Sequence, residues 1–285
     1  MRKCYWLNRM LLPALTLILL LVSCSKDPLD AVREKIPADF KYLAGIFDGE
    51  GVGAVLDLRH ATILFNTAGD QYAWVEKGEI KVMRRVDDPL SPFRKTILGS
   101  IGPSFLSIPK TAYFFDRSGS RYTTATYDFK DVAGKWDDPD LFSFSNKSYG
   151  PRDWGGRDEC PFTTIGAIWE YQVNRFCSYY YPDYYAVYMT NGDGNLFTLY
   201  AFSKERFGGE VNAVNQYEIY TCAGENGDKH QTGTGHIPFS SIRAVMTCYD
   251  TGSLPVGEVF FISEGKQFGY NQFETGEVLG PFDLY

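Results

Sequence analysis

The sequence predicts an all-β domain of four repeats, closed radially as a four-bladed β-propeller, and three observations lead there. Aromatic residues make up 16% of the chain, with 28 Gly and 14 Pro, and few windows keep an apolar 3.6-residue period beyond two turns, a composition of many short strands. An eight-residue unit, Pro161-Phe162-Thr163-Thr164-Ile165-Gly166-Ala167-Ile168, returns as Pro238-Phe239-Ser240-Ser241-Ile242-Arg243-Ala244-Val245. A second motif, aromatic-x3-Gly-x2-aromatic, keeps its internal spacing at Phe65/Gly69/Tyr72, Phe115/Gly119/Tyr122 and Phe261/Gly265/Phe268. A two-sheet β-sandwich is the alternative arrangement of the same strands.

The amino terminus comes first. Arg2, Lys3 and Arg9 precede an apolar stretch from Met10 to Val22, with no acid before Asp27. The stretch is too short to span a bilayer as a mature helix. It ends in Leu21-Val22-Ser23-Cys24, which resembles a lipobox, the recognition site of bacterial lipoprotein signal peptidase. The resemblance implies a signal peptide over 1–23 and a diacylglycerol on the thiol of Cys24. Ser25 rather than Asp follows, which by the same resemblance implies an outer-membrane lipoprotein, facing the periplasm or the surface. Residues 24–45 read as a tether with a turn or two of helix from Leu29 to Lys35, stopped by Pro37. Without Arg2, Lys3 and Arg9, three positive charges fewer, the net charge falls from −7 to about −10. That balance argues against nucleic acid and anionic headgroups as partners, since both need a basic face. Membrane contact is expected through the lipid only.

The domain is expected over 46–285, with blades near 46–95, 96–158, 159–236 and 237–285. Val52-Gly53-Ala54-Val55 and Ile101-Gly102-Pro103-Ser104-Phe105 are weaker counterparts of the eight-residue unit, so it occurs about four times. It reads as a buried inner strand whose small residues let backbones crowd together. The second motif is partial in the third repeat, where Thr190 replaces the first aromatic while Gly194 and Phe197 remain. It reads as a β-hairpin whose Gly takes positive φ. One such unit cannot bury its faces alone, whereas four arranged radially can. Repeat starts at Val52, Ile101, Ile165 and Ile242 are unevenly spaced, so the second and third repeats carry insertions, and insertion loops are where binding is usually built.

These residues resemble the hemopexin-like repeat family, whose repeat opens with a Pro, continues through an Ile-x-Ala-apolar inner strand and a Tyr-Phe-Phe-like strand, and turns at a Gly. Pro238 to Val245 followed by Val259-Phe260-Phe261 and Gly265 matches best, and Pro161 to Ile168 next; the resemblance covers roughly residues 50 to 285. It implies a four-bladed propeller and, as in many relatives, binding of proteins or glycans. The chain departs from the pattern in having Gly53, Gly166 and Arg243 where an acid or Asn usually precedes the Ala. Pro103 also displaces the Ala of the second repeat, and no cysteine pair joins the first and last blades.

The function expected is non-catalytic binding of a glycan or protein ligand on aromatic insertion loops. Trp136, Trp154, Tyr179, Tyr181, Tyr184 and Tyr185 are the candidates, because flat rings with polar tips suit stacking and recognition. Asn191, Asp193 and Asn195 space oxygens as calcium loops do, yet lie in the third hairpin, where a plain turn is the stronger reading. A channel ion, calcium or sodium, would sit on carbonyls near Gly53, Gly102, Gly166 and Arg243, with the Arg side chain opposing it. His60, His230 and His236 show no ligand spacing and read as loop residues. A lipid-anchored hydrolase is the competing reading, drawing an acid pair from Asp137, Asp138, Asp140, Asp153, Asp158 and Glu159. A structural envelope component is the third. Cys160, Cys177, Cys222 and Cys248 allow three pairings; on the propeller arrangement Cys177 with Cys248 and Cys160 with Cys222 is expected.

Overall fold

The computed structural model describes residues 28–58, 60–107, 111–127, 132–151, 160–170, 184–203, 219–222, 237–248, 256–273 and 275–285. They form four separate antiparallel sheets of four strands, each sheet taken from one stretch of chain in sequence order. Blade 1 holds β1 (Val52–Asp57), β2 (Thr62–Asn66), β3 (Gln71–Glu76) and β4 (Glu79–Arg85); blade 2 holds β5 (Ser104–Ser107), β6 (Thr111–Phe115), β7 (Tyr122–Tyr127) and β8 (Phe142–Phe144). Blade 3 holds β9 (Ile165–Glu170), β10 (Tyr184–Asn191), β11 (Leu196–Ser203) and β12 (Tyr220–Thr221); blade 4 holds β13 (Ala244–Cys248), β14 (Gly257–Ile262), β15 (Gln267–Gln272) and β16 (Val278–Asp283). The inner strands adjoin in the order β1, β5, β9, β13 and back to β1. This is the four-bladed propeller expected, and the two-sheet sandwich is excluded.

The core is four interfaces rather than one. Between blades 1 and 2 Phe93 is the hub, its ring 5.1 Å from Phe65, 5.0 Å from Tyr72 and 5.4 Å from Phe142. Phe105, Phe115, Tyr122, Ile165 and Met189 fill the space between blades 2 and 3. Trp169, Tyr188, Phe197, Phe239 and Phe260 fill that between blades 3 and 4. Val55, Leu64, Met246, Phe261 and Phe268 close the ring between blades 4 and 1. Burial falls from the centre outward: every residue of β13 and β14 is buried, because both faces are covered, whereas the outermost β4 alternates exposed and half-buried positions.

The amino-terminal segment differs from expectation. Helix α1 (Pro28–Lys35) leads into 3-10 turns over Ala38–Leu43 and Ile46–Gly49. Ile36, Phe40 and Leu43 are buried in the interface of blades 4 and 1, with the Phe40 ring 5.7 Å from Phe268 and 5.1 Å from Tyr270. Residues 36–45 therefore belong to the fold rather than to a tether, since their apolar side chains complete an interface that the blades alone leave open. The two residues after the carboxyl-terminal strand lock this segment: Gly45 N–H donates to Leu284 O at 2.7 Å, Gly51 N–H donates to the Tyr285 hydroxyl at 3.0 Å, and that hydroxyl donates to Ile46 O. Among the described residues no helix is long and apolar enough to cross a membrane.

Candidate functional site

The repeated motifs meet at the end of the ring where the inner strands begin. The two aromatics of each hairpin are direct cross-strand partners, Phe65 with Tyr72, Phe115 with Tyr122 and Phe261 with Phe268. In blade 3 the substituting Thr190 sits opposite Phe197, and its hydroxyl accepts the Ala167 N–H at 2.8 Å beside a register shift. The motif glycine does more than turn the chain. Ile101, Ile165, Ile242 and Val52 donate their N–H groups to the carbonyls of Gly69, Gly119, Gly194 and Gly265 at 2.8, 3.0, 3.0 and 2.8 Å, joining each blade to the one before it. A Cβ on Gly119, whose φ is +66°, would stand 1.9 Å from Ile165 O, and one on Gly265 2.0 Å from Val52 O. Positive φ and this closeness together exclude any side chain.

A further part of the motif is an Asx residue directly after the first aromatic. Asn66 Oδ1 accepts the N–H groups of Asp70 and Gln71, Asp116 Oδ1 those of Ser120 and Arg121, and Asn191 Oδ1 those of Asn195 and Leu196. These bonds close three of the four turns. Blade 4 has Ile262 there, and its turn instead runs through Ser263 and Glu264, both left-handed, with φ of 51° and 59°.

The residue that follows each blade-joining Val52, Ile101, Ile165 or Ile242 is Gly53, Gly102, Gly166 and, in blade 4, Arg243. A Cβ on Gly53 would meet Thr67 Cα at 2.7 Å, and one on Gly166 would meet Asn191 O at 2.3 Å, because the hairpin lies directly over the strand. In blade 4, where the turn takes its other path, a whole arginine fits. A cavity of about 590 Å³ opens here, lined by Gly53, Gly166 and Gly192, the hydroxyl residues Thr67 and Ser118, the cations Arg117, Arg243 and Lys266, and the acids Glu50 and Glu264. Its size falls in the range of small-ligand sites.

Arg243 Nη1 donates to Gly192 O at 2.9 Å, and Glu50 accepts from Asn66 Nδ2. Among the described residues none of the three cations forms an ion pair, whereas Lys81, Arg84, Arg85, Lys95 and Arg121 all do. Six described non-glycine residues have positive φ; five of them, Phe47, Asp48, Ser241, Ser263 and Glu264, lie at or within two residues of this lining. Such conformations cost on the order of 1–3 kcal/mol each and gather at functional sites. The lining does not fit a resident calcium or sodium ion, because three cations that form no ion pair among the described residues share it and Arg243 stands where the other blades carry glycine.

The expected aromatic site is distributed differently. Trp136 lies in the β7–β8 connection, half-buried against the core between blades 1 and 2, where its ring completes packing. Tyr184 and Tyr185 open β10, paired with Ser203 and Phe202, at the end of the sheet opposite the cavity. Tyr188 from the same run is core, its ring 5.3 Å from Trp169. Trp154, Tyr179 and Tyr181 lie outside the described residues, as do Cys24, His230, His236, Asp153, Asp158 and Glu159; His60 is exposed. Asn191 and Asn195 engage each other, Nδ2 to Oδ1 at 2.8 Å, within the hairpin, and Asp193 is exposed on it.

The described acids brace the surface. Asp137 pairs with Arg84 at 2.6 Å across blades 1 and 2, and Asp140 with Lys95 at 2.6 Å, the ammonium holding that carboxyl below its ordinary range. Asp138 accepts the Asp140 N–H at 3.0 Å. The carboxylic acid with the most altered titration lies elsewhere: Glu258, buried between blades 3 and 4, is pushed up to about 8 by burial, although the Trp169 Nε1–H donating to it at 3.0 Å opposes the rise.

The expected disulfides are not formed. Cys160 belongs to the interface of blades 2 and 3 and Cys222 to that of blades 3 and 4, so the sheet of blade 3 separates them; Cys248, a third free thiol, is buried between blades 4 and 1. Its expected partner Cys177 lies outside the described residues. Burial pushes the Cys222 thiol up to about 12 and raises Cys248 as well, so both stay protonated.

No family model matches the chain, and no curated protein matches it in sequence. Solved structures to which it is similar include Myxococcus xanthus glutaminyl cyclase, 9% identical over 81% of this chain and 70% of that one with a TM-score of 0.37. A nidogen/laminin complex is 8% identical over 80% of this chain and 62% of that one, with a TM-score of 0.31. The β-propeller domain of Myceliophteria thermophila Cps50 (Swd1) is 9% identical over 86% and 56%, with a TM-score of 0.29. The chain thus spans between 56% and 70% of these proteins, and the fold assignment rests on its own four sheets.

Proposed function

We propose that the chain is a non-catalytic binding propeller of hemopexin-like repeats, held to the outer membrane by a lipid on Cys24, that takes the polar part of a glycan or protein ligand into its channel mouth. The observation that carries this reading is the cavity itself, which stands where the repeat is broken and collects strained backbone and cations that form no ion pair among the described residues. Trp136, and Tyr184 and Tyr185 at the other end of their sheet, would then serve packing or a second contact, not the main site. A lipid-anchored hydrolase gains little from the acids expected to serve it: Asp137 and Asp140 are in ion pairs, and Glu258, the acid with the raised titration, is sealed between blades. The test is a panel of glycans and purified proteins offered to the full chain, with and without EDTA. Reproducible capture that EDTA leaves intact and that is lost on Arg243→Gln supports the reading. Turnover of a substrate in place of capture would favour the hydrolase, and silence throughout a structural envelope component.

A further inference from the structure

We infer that the group held at the channel mouth is the carboxylate of an acidic sugar, with Arg243 as its principal partner and Arg117 and Lys266 beside it; this rests on the binding reading above. Arg243 interrupts the glycine pattern of the other three blades at the point where the cavity opens. One guanidinium nitrogen is fixed by Gly192 O at 2.9 Å, which orients the planar group. Its remaining donors have no bond among the described residues, and a guanidinium fork matches a carboxylate.

The charge of the lining selects the rest of the ligand. Three cations and two acids suit a molecule bearing one negative group and several hydroxyls, since the carboxylates of Glu50 and Glu264 accept from hydroxyl donors, and the hydroxyls of Thr67 and Ser118, which donate to Glu50 O and Asp116 Oδ1, can accept as well. A polyanion would meet those two acids and the negative charge of the chain, −7 overall. The volume, about 590 Å³, accommodates a di- or trisaccharide end.

The experiment is isothermal titration of the full chain with cellobiouronic acid, a glucuronyl-glucose disaccharide, and with its methyl ester, cellobiose and triglutamate. The acid should bind about tenfold or more tightly than the ester, the change expected for one charge-assisted pair. Arg243→Gln should bring the acid down to the level of the ester, and Arg243→Lys should fall between. Arg117→Gln, on an exposed side chain, should weaken the acid severalfold without touching the melting temperature and so keeps the test open if Arg243→Gln misfolds. Equal binding of acid and ester, or indifference to both substitutions, overturns the inference. Triglutamate binding as tightly as the acid sugar overturns it in favour of an acidic peptide. If a neutral glycan or a protein from the panel binds while cellobiouronic acid does not, the inference falls and the binding reading stands; if nothing binds, both fall.

Discussion

The four blade interfaces and the channel mouth are built from the same repeats and obey opposite rules. In the interfaces the repeats agree: paired aromatics flank the turn in three blades, with Thr190 opposite Phe197 in blade 3, and in all four the motif glycine hands its carbonyl to the next blade. At the mouth the repeats disagree, with Arg243 against Gly53, Gly102 and Gly166, and a left-handed turn at Ser263 and Glu264 against Asx-closed turns elsewhere. Agreement among repeats builds the scaffold, and departure from agreement marks where a site can be placed on it.

The scaffold half of this contrast breaks most severely at a motif glycine. Gly119→Ala forces a Cβ against Ile165 O and a left-handed alanine together, and should cost about 4 kcal/mol, enough to abolish soluble folded protein. Gly99→Ala, at φ +73° with nothing within 4 Å, should cost only about 1–2 kcal/mol. Urea titration of the two separates blade-to-blade closure from turn conformation.

The next effect is Glu258. Its folded value near 8 lies above the ordinary carboxyl value of 4.5, so the folded state binds the extra proton between those limits. Its contribution is complete below about pH 4.5 and is lost as pH rises through about 8. Melting temperature should therefore fall between pH 5 and 8.5 in the natural chain, by a stability change on the order of 3 kcal/mol, and fall much less in Glu258→Gln. Equal slopes in the two chains would show that Glu258 titrates normally.

Asp116→Ala should remove about 1–2 kcal/mol, because Asp116 Oδ1 closes the second turn through two N–H groups. The smallest effect belongs to the exposed Arg84–Asp137 pair, where a double-mutant cycle should return under about 1 kcal/mol. For the tether, Cys24→Ala should move the protein from the membrane to the soluble fraction, and unchanged fractionation would count against lipidation.

Much of the scaffold was legible in the sequence. The four residues that mark repeat starts by pattern, Val52, Ile101, Ile165 and Ile242, are those whose N–H groups join the blades. A fixed spacing survives in sequence because one short contact imposes it. The Asx of the hairpins was equally regular at Asn66, Asp116 and Asn191 but went unread, since the aromatics and glycine dominate the pattern. The mouth could not be read in the same way. Arg117, Lys266 and Arg243 stand at variable positions of the repeated motifs and Glu50 outside them, and only ring closure brings them together. Cysteine pairing failed for the converse reason: spacing cannot tell which side of a blade a thiol faces, and Cys160 and Cys222 face opposite sides of blade 3.

The most direct measurement is the affinity of cellobiouronic acid for Arg243→Gly, a change that restores at the fourth blade the residue the other three carry, read on the same sample as its melting temperature. A melting temperature within a few degrees of the natural chain, together with binding reduced at least about tenfold, is the expected result. Undiminished binding by a folded Arg243→Gly chain would contradict the claim that the site resides where the repeat is broken.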